Sequence, residues 1–204
     1  MSTALIIFAK APVAGRAKTR LMPALGAEGA AHLAERLLHH TLQQAGALAP
    51  AHLELCVTPD TQHPAFDQAR RDCGGDLHLT LQGDGDLGER MHRALSRALQ
   101  QHDKVLLIGT DAPALDAATL ARAEVALDRD DAVFVPALDG GYALIGLTRP
   151  APALLLGMTW STPRVMSDTR DRARHAGMDW TELPPVADID EPADLAHLPP
   201  GWLP

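Results

Sequence analysis

The chain has 204 residues, of which 46% are hydrophobic and only 3% aromatic, and its formal net charge is −8. This length predicts one domain over residues 1–204 with an aliphatic core large enough to fold alone. The acidity argues against a general nucleic-acid or membrane-surface binder, and the scarcity of rings removes the usual stacking platforms for single strands.

The first residues show neither a basic n-region nor a long apolar run, so no signal peptide is expected. No apolar stretch approaches the length of a membrane span. A cytoplasmic protein with reduced thiols at Cys56 and Cys73 is the expectation.

Residues 3–9 (TALIIFA) read as a short buried strand. The loop that follows, in FAKAPVAGRAKTRL, carries Lys10, Arg16, Lys18 and Arg20 around Pro12 and Gly15. In an acidic chain this concentration of cations suits a polyphosphate. Gly15 permits a turn with positive φ, Arg16 can fork two oxygens, and Lys18 offers a movable point charge. A solvated basic loop paired with surface acids is the plainer reading. No GxGxxG fingerprint and no GxxxxGK[ST] loop occurs, which removes support for a dehydrogenase or a P-loop enzyme.

Residues 26–47 predict a helix, with Ala34, Leu37, Leu38, Thr41, Leu42 and Ala45 on one face. A strand over 53–58, a short helix over 64–72 and a strand over 77–81 follow. QGDGDLGERM (82–91) leads into a helix over 87–102. Its amino terminus, at Gly88 and Glu89, would offer free N–H groups to an anion or a base edge, unless the stretch is only turn chemistry.

The run KVLLIG (104–109) predicts a central parallel strand. It ends in GTDAP, where Asp111 suits Mg²⁺, an ion that takes oxygen ligands and shares them with substrate phosphates; a turn or cap role is the alternative. A helix over 116–127 with Asp116 as N-cap follows, then strands over 132–136 and 142–147. LDGG between them makes a hairpin or a short excursion, and Gly140, Gly141 and Tyr142 are candidates to approach an acceptor closely, although the two glycines also suit a plain turn. A helix from Thr162–Pro163 to about Gly177, a strand over 179–183 and a short helix over 191–197 complete the pattern. In VADIDEPADL, Asp188 and Asp190 alternate around Ile189, which in an extended segment makes a carboxylate face able to complete a metal site with Asp111; Asp190 could equally cap the last helix.

Ten histidines are scattered without HExxH or Cys–His spacing, and no GxSxG elbow is present. RDRARH (170–175) reads as a solvated helix face, although Arg172 or Arg174 could reach a phosphate. The strand–helix alternation predicts an α/β fold, a three-layer Rossmann-like sandwich with a mostly parallel central sheet and its ligands beyond the carboxyl ends of the strands.

Taken in order, FAKAPVAGRAKTRL, LGERM, GTDAP, DGGYALIGL and DIDEPADL resemble a bacterial family related to the nucleotide-diphospho-sugar transferases, whose members are often labelled GT-A-type glycosyltransferases. The chain is also similar to the 2-phospho-L-lactate and molybdenum cofactor guanylyltransferases. The resemblance implies a GT-A fold that binds a nucleoside triphosphate or nucleotide sugar with Mg²⁺, or Mn²⁺ in its place. It implies phosphate binding by Lys10, Gly15, Arg16 and Lys18, and metal binding by Asp111, completed by Asp188 and Asp190. GTDAP carries one Asp where glycosyltransferases of this fold carry a DxD pair; the single Asp is the nucleotidyltransferase pattern.

The expected activity is Mg²⁺-dependent nucleotidyl transfer from a nucleoside triphosphate to a small phosphorylated or carboxylated acceptor. Lys18, Arg16 and Asp111 are its catalytic candidates, and Arg20, Gly88 and Glu89 are further nucleotide contacts. Glycosyl transfer from a nucleotide sugar and a silent nucleotide-binding regulatory module are the rival readings. Small molecules are the expected partners, with no nucleic acid and no membrane, and a homodimer is open.

Overall fold

The computed structural model describes residues 1–202. Seven strands form one sheet: β1 (Thr3–Lys10), β2 (His52–Thr58), β3 (Leu77–Leu81), β4 (Lys104–Ile108), β5 (Ala132–Pro136), β6 (Tyr142–Leu147) and β7 (Trp180–Glu182). Their spatial order is β3-β2-β1-β4-β6-β5-β7. Only β6 runs antiparallel to its neighbours, β4 and β5. The turn between β5 and β6 is therefore a hairpin, and every other pairing is parallel.

Six α-helices cover the two faces: α1 (Met22–Leu48), α2 (Pro64–Asp72), α3 (Leu87–Ala98), α4 (Ala117–Ala126), α5 (Pro152–Leu155) and α6 (Val165–His175). The side-chain alternation of the strands divides the core. Leu5, Ile7, Leu55 and Ile108 face α1, α2 and α4, where Leu38, Phe66 and Leu120 pack against them. Ile6, Phe8, Val105 and Phe134 face α3, α5 and α6, where Leu95, Leu154 and Met166 close the second layer. Strands buried on both faces need apolar residues at every position, which is why β1 and β4 read as uninterrupted runs.

The boundaries depart from expectation at a few points. The first long helix begins at Met22 and is kinked at Gly26, whose φ of 71° is non-helical. α3 ends at Ala98, sooner than expected. The last helical segment, Pro192–His197, is a 3-10 helix. α5 has only four residues, too few to carry a hydrophobic period, and was not expected. None of the helices over the described residues is long and apolar enough to cross a membrane.

Candidate active site

The carboxyl ends of β1 and β4 lie side by side, since these strands pair in register from Thr3↔Lys104 to Ile7↔Ile108. Beyond β1 the chain turns tightly: the N–H groups of Arg16 and Ala17 each donate to the Val13 carbonyl at 2.9 Å. Gly15 takes φ +76° within this turn. Ala17 and Leu21, 3% and 0% exposed, anchor the loop on either side of Lys18. Lys18 itself adopts a left-handed conformation, φ 47° and ψ 45°.

That backbone sends the Lys18 side chain inward, where it is 8% exposed. Its Nζ donates to the Ile189 carbonyl at 2.6 Å and to Asp190 Oδ1 at 2.9 Å, and forms an ion pair with Asp111 Oδ1. Burial alone disfavours the ammonium, but the neighbouring Asp111 and Asp190 charges outweigh it and hold the Lys18 pKa above the ordinary lysine value.

Asp111 leaves the end of β4 through Gly109–Thr110. Asp190 arrives from the opposite end of the sequence. Val186 N–H donates to the Pro136 carbonyl at 3.0 Å, and Ile189 N–H donates to the Asp111 carbonyl at 2.8 Å. The Ile189 side chain is fully buried beneath α1, with Leu21, Leu33 and Leu37. Past it, the Asp194 carboxylate accepts from the N–H groups of Asp190 and Glu191, at 3.0 and 2.7 Å.

These groups border a cavity of about 530 Å³. Lys10, Arg16 and Arg20 line its cationic side, Asp111, Asp139 and Asp190 its acidic side, and Phe8, Leu87, Met91 and Trp160 an apolar floor. Among the described residues, neither the Lys10 nor the Arg16 side chain has an ion-pair partner; Arg20 is 3.9 Å from Glu191. A smaller recess of about 130 Å³ adjoins it, lined by Asp111, Asp139, Asp188, Gly141 and Tyr142. Burial, reinforced by the Asp139 and Asp190 charges, pushes the Asp188 carboxyl up to about 6.

Four carboxylates around two joined hollows form an all-oxygen donor set, which suits a hard divalent cation such as Mg²⁺ or Mn²⁺. The donors are not drawn together in advance. Among the described residues, no three His, Cys, Asp or Glu side chains stand in a metal-holding arrangement. Asp111 and Asp190 instead share the Lys18 ammonium, and Asp188 lies in the smaller recess rather than on the same face as Asp190.

Of the residues singled out from the sequence, Lys10, Arg16, Lys18, Arg20, Asp111, Gly141, Tyr142 and Asp190 line the main cavity, and Asp188 its neighbour. Four do not reach it. Gly15 only turns the loop. Glu89 is held in a capping box with Asp86 at the start of α3 and faces a separate surface groove. Gly88 lies under α5, where a Cβ would stand 2.1 Å from the Leu155 carbonyl oxygen. Gly140 packs against the backbone just before α6, with a Cβ position 2.2 Å from the Pro163 oxygen, so its bareness serves packing.

Two wall residues were not read from the sequence. Asp139 borders both hollows and accepts from Gly141 N–H at 2.8 Å. It immediately precedes the two glycines, and that adjacency was the available signal. Trp160 meets Tyr142 edge-on, with ring centroids 6.3 Å apart. Its Nε1 and the Tyr142 hydroxyl are both buried without a hydrogen-bond partner among the described residues, and burial raises the Tyr142 pKa.

No curated protein matches the chain. Among solved structures, it is similar to a protein from Desulfovibrio desulfuricans G20 provisionally named a nucleotide-diphospho-sugar transferase: 33% identity, 96% of this chain and 85% of that one covered, TM-score 0.85. A 4-diphosphocytidyl-2C-methyl-D-erythritol synthase from Anaerococcus prevotii shares 12% identity over 96% and 95% of the two chains, TM-score 0.65. A nucleotidyl transferase from Methanothermobacter shares 18% identity over 96% and 95%, TM-score 0.64. The latter two likenesses are of fold. The sequence pattern of the family described as uncharacterized protein conserved in bacteria (DUF2064) matches residues 41–162, more than half of the chain. The chain therefore belongs to the DUF2064 family, built on the fold of the nucleotide-diphospho-sugar transferases.

Proposed function

We propose that this enzyme is a divalent-metal-dependent nucleotidyltransferase that couples a nucleoside triphosphate to a small phosphorylated or carboxylated acceptor and releases pyrophosphate. The observation that carries this reading is the meeting of Lys18, Asp111 and Asp190, from three distant parts of the chain, on a cavity whose rim holds the unpaired Lys10 and Arg16. Cations that have no ion-pair partner among the described residues yet face acidic walls suit a ligand that brings both phosphate charge and a metal ion.

In this reading Lys10, Arg16 and Arg20 hold the triphosphate, with Arg16 able to fork two oxygens. Lys18 neutralises charge that grows at the reacting phosphate. Asp111 and Asp190, with Asp188 and Asp139 beside them, would hold the metal. A bound Mg²⁺ or Mn²⁺ supplies charge neutralisation and a template for phosphate and acceptor oxygens. Gly141 leaves the wall beside Asp139 low, and Tyr142 and Trp160 give the acceptor an aromatic boundary. An acceptor oxygen attacks the α-phosphorus and the bond to the β-phosphate oxygen breaks. The protein contributes positioning and electrostatics, with no covalent nucleophile of its own.

A thermal-shift panel of nucleoside triphosphates and nucleotide sugars, each with and without Mg²⁺, tests the substrate class, because a ligand of the native state raises Tm by mass action. Pyrophosphate release from the best triphosphate is expected with a suitable acceptor. Stabilisation by nucleotide sugars alone, with no pyrophosphate, would favour glycosyl transfer.

A further inference from the structure

The Lys18 ammonium has no hydrogen to spare. Its three oxygen partners are the Ile189 carbonyl, Asp190 and Asp111, and its side chain is 8% exposed. An ammonium offers three donors, so this cage saturates it. Two of the three oxygens belong to carboxylates suited to a metal, and a hard divalent cation asks for oxygen ligands of the same kind. Lys18 occupies Oδ1 of both carboxylates, so a metal bound by the same two groups would face the repulsion of the ammonium at short range.

We propose that Lys18 is the resident cation of this site, and that Asp111 and Asp190 take up a divalent metal only when Lys18 withdraws toward a bound polyphosphate. The inference rests on the metal-dependent transfer reading above and assigns an order within it. The loop backbone is pinned by buried Ala17 and Leu21 on either side, so Lys18 can exchange partners by rotating its own side chain. The left-handed backbone at Lys18 points the same way. A non-glycine residue held at φ 47° costs free energy, and here it aims the side chain at the carboxylates. Lys10 and Arg16, without ion-pair partners among the described residues, line the same cavity, so a polyphosphate gathered there presents Lys18 with new oxygens. A ligand that draws Lys18 away must raise metal affinity, and by reciprocity the metal must raise affinity for that ligand.

The test measures Mn²⁺ alone, by paramagnetic resonance, against the wild-type chain and a Lys18→Gln variant whose thermal melt shows it folded. Removal of the competing charge is expected to tighten Mn²⁺ binding by about tenfold or more. Equal affinity in the two proteins would overturn the exchange and leave the metal reading standing. Absence of Mn²⁺ binding in both would overturn the metal reading and the exchange with it.

A second measurement needs no variant. The chain has three lysines, Lys10, Lys18 and Lys104. Only Lys18 and Lys104 are buried in ion pairs, and Lys104, at the start of β4, pairs with Asp128 away from the site. In ¹⁵N spectra of the lysine ammonium groups, Mg²⁺ with tripolyphosphate should perturb one of two protected signals. Two unchanged signals at a Mg²⁺–tripolyphosphate concentration that raises Tm would refute the exchange.

Discussion

Ile189 donates its backbone N–H to the carbonyl of Asp111 at 2.8 Å, and this one bond ties the C-terminal segment to the end of β4. The buried Ile189 side chain fixes the segment from below, and the flanking Asp188 and Asp190 are thereby carried to the two hollows. Ile189→Ala should therefore act on stability and on the site together. Loss of a fully buried isoleucine is expected to cost about 2–4 kcal/mol in urea unfolding. Affinity for a triphosphate with Mg²⁺ should fall in the fraction that stays folded. Full stability with weakened binding, or the reverse, would separate the two roles assigned to this residue.

Asp111→Asn should leave the fold in place and remove most of the turnover. Lys18 keeps Asp190 and the Ile189 carbonyl, so its ammonium remains paired. A carboxamide cannot replace the lost charge at a metal, and the expected fall in pyrophosphate release is about 100-fold or more. Circular dichroism and Tm should change little. Retention of wild-type rates would exclude Asp111 from the metal and from catalysis.

The fold was legible because β1 and β4 are buried on both faces and must be apolar nearly throughout, and they announce themselves for that reason. The convergence of Lys18 and Asp111 was legible because each follows the carboxyl end of one of two neighbouring parallel strands, β1 and β4. What escaped has physical causes as well. Asp139 stands before two glycines and looks like turn chemistry, yet the turn aims it into both hollows. Trp160 lies between α5 and α6, where no period marks it. Gly88 and Glu89 resemble an anion loop, but helix packing and a capping box account for them. Asp188 and Asp190 alternate as in a strand, but the segment leaves the sheet after the bridge of Ala137 with Val186, so they part company.

Stability should fall on mild acidification through a cluster at the opposite end of the sheet. His52 at the start of β2 lies 4.4 Å, centroid to centroid, from His78 on β3 and 5.3 Å from His102 before β4. Its Nε2 is 3.6 Å from Oε2 of the buried Glu54, which also pairs with Arg97 on α3. Burial, and then the neighbouring His78, hold the His52 pKa below its ordinary 6.5, and Glu54 only partly opposes them. Between the lowered value and 6.5 the unfolded chain binds more protons, so acid favours unfolding there. The contribution of neutral His52 is intact above about 6.5 and is lost as pH falls through the lowered value. Urea midpoints between pH 7.5 and 5.5 should decline more steeply for wild type than for His52→Gln. Parallel profiles would show that this cluster does not set the acid limb.

The adjacent glycines of the β5–β6 turn should respond oppositely to the same methyl group. At Gly140 φ is +94°, and an added Cβ would overlap the Pro163 backbone carbonyl that packs against it. Backbone strain of about 1–3 kcal/mol is expected before the overlap is counted. Gly140→Ala should therefore lower Tm severely, and any loss of activity should follow the loss of folded protein. Gly141 carries no such backbone demand, and its added Cβ would meet only the Asp139 carboxylate, at 3.2 Å. Gly141→Ala should melt within a few degrees of wild type. Because Gly141 lines both hollows beside Asp139, its methyl would intrude on the wall assigned to the acceptor. The expected signature is a raised KM for the acceptor with triphosphate binding unchanged, read by steady-state pyrophosphate release and by thermal shift. An unchanged acceptor KM would remove Gly141, and the recess beside it, from the acceptor path.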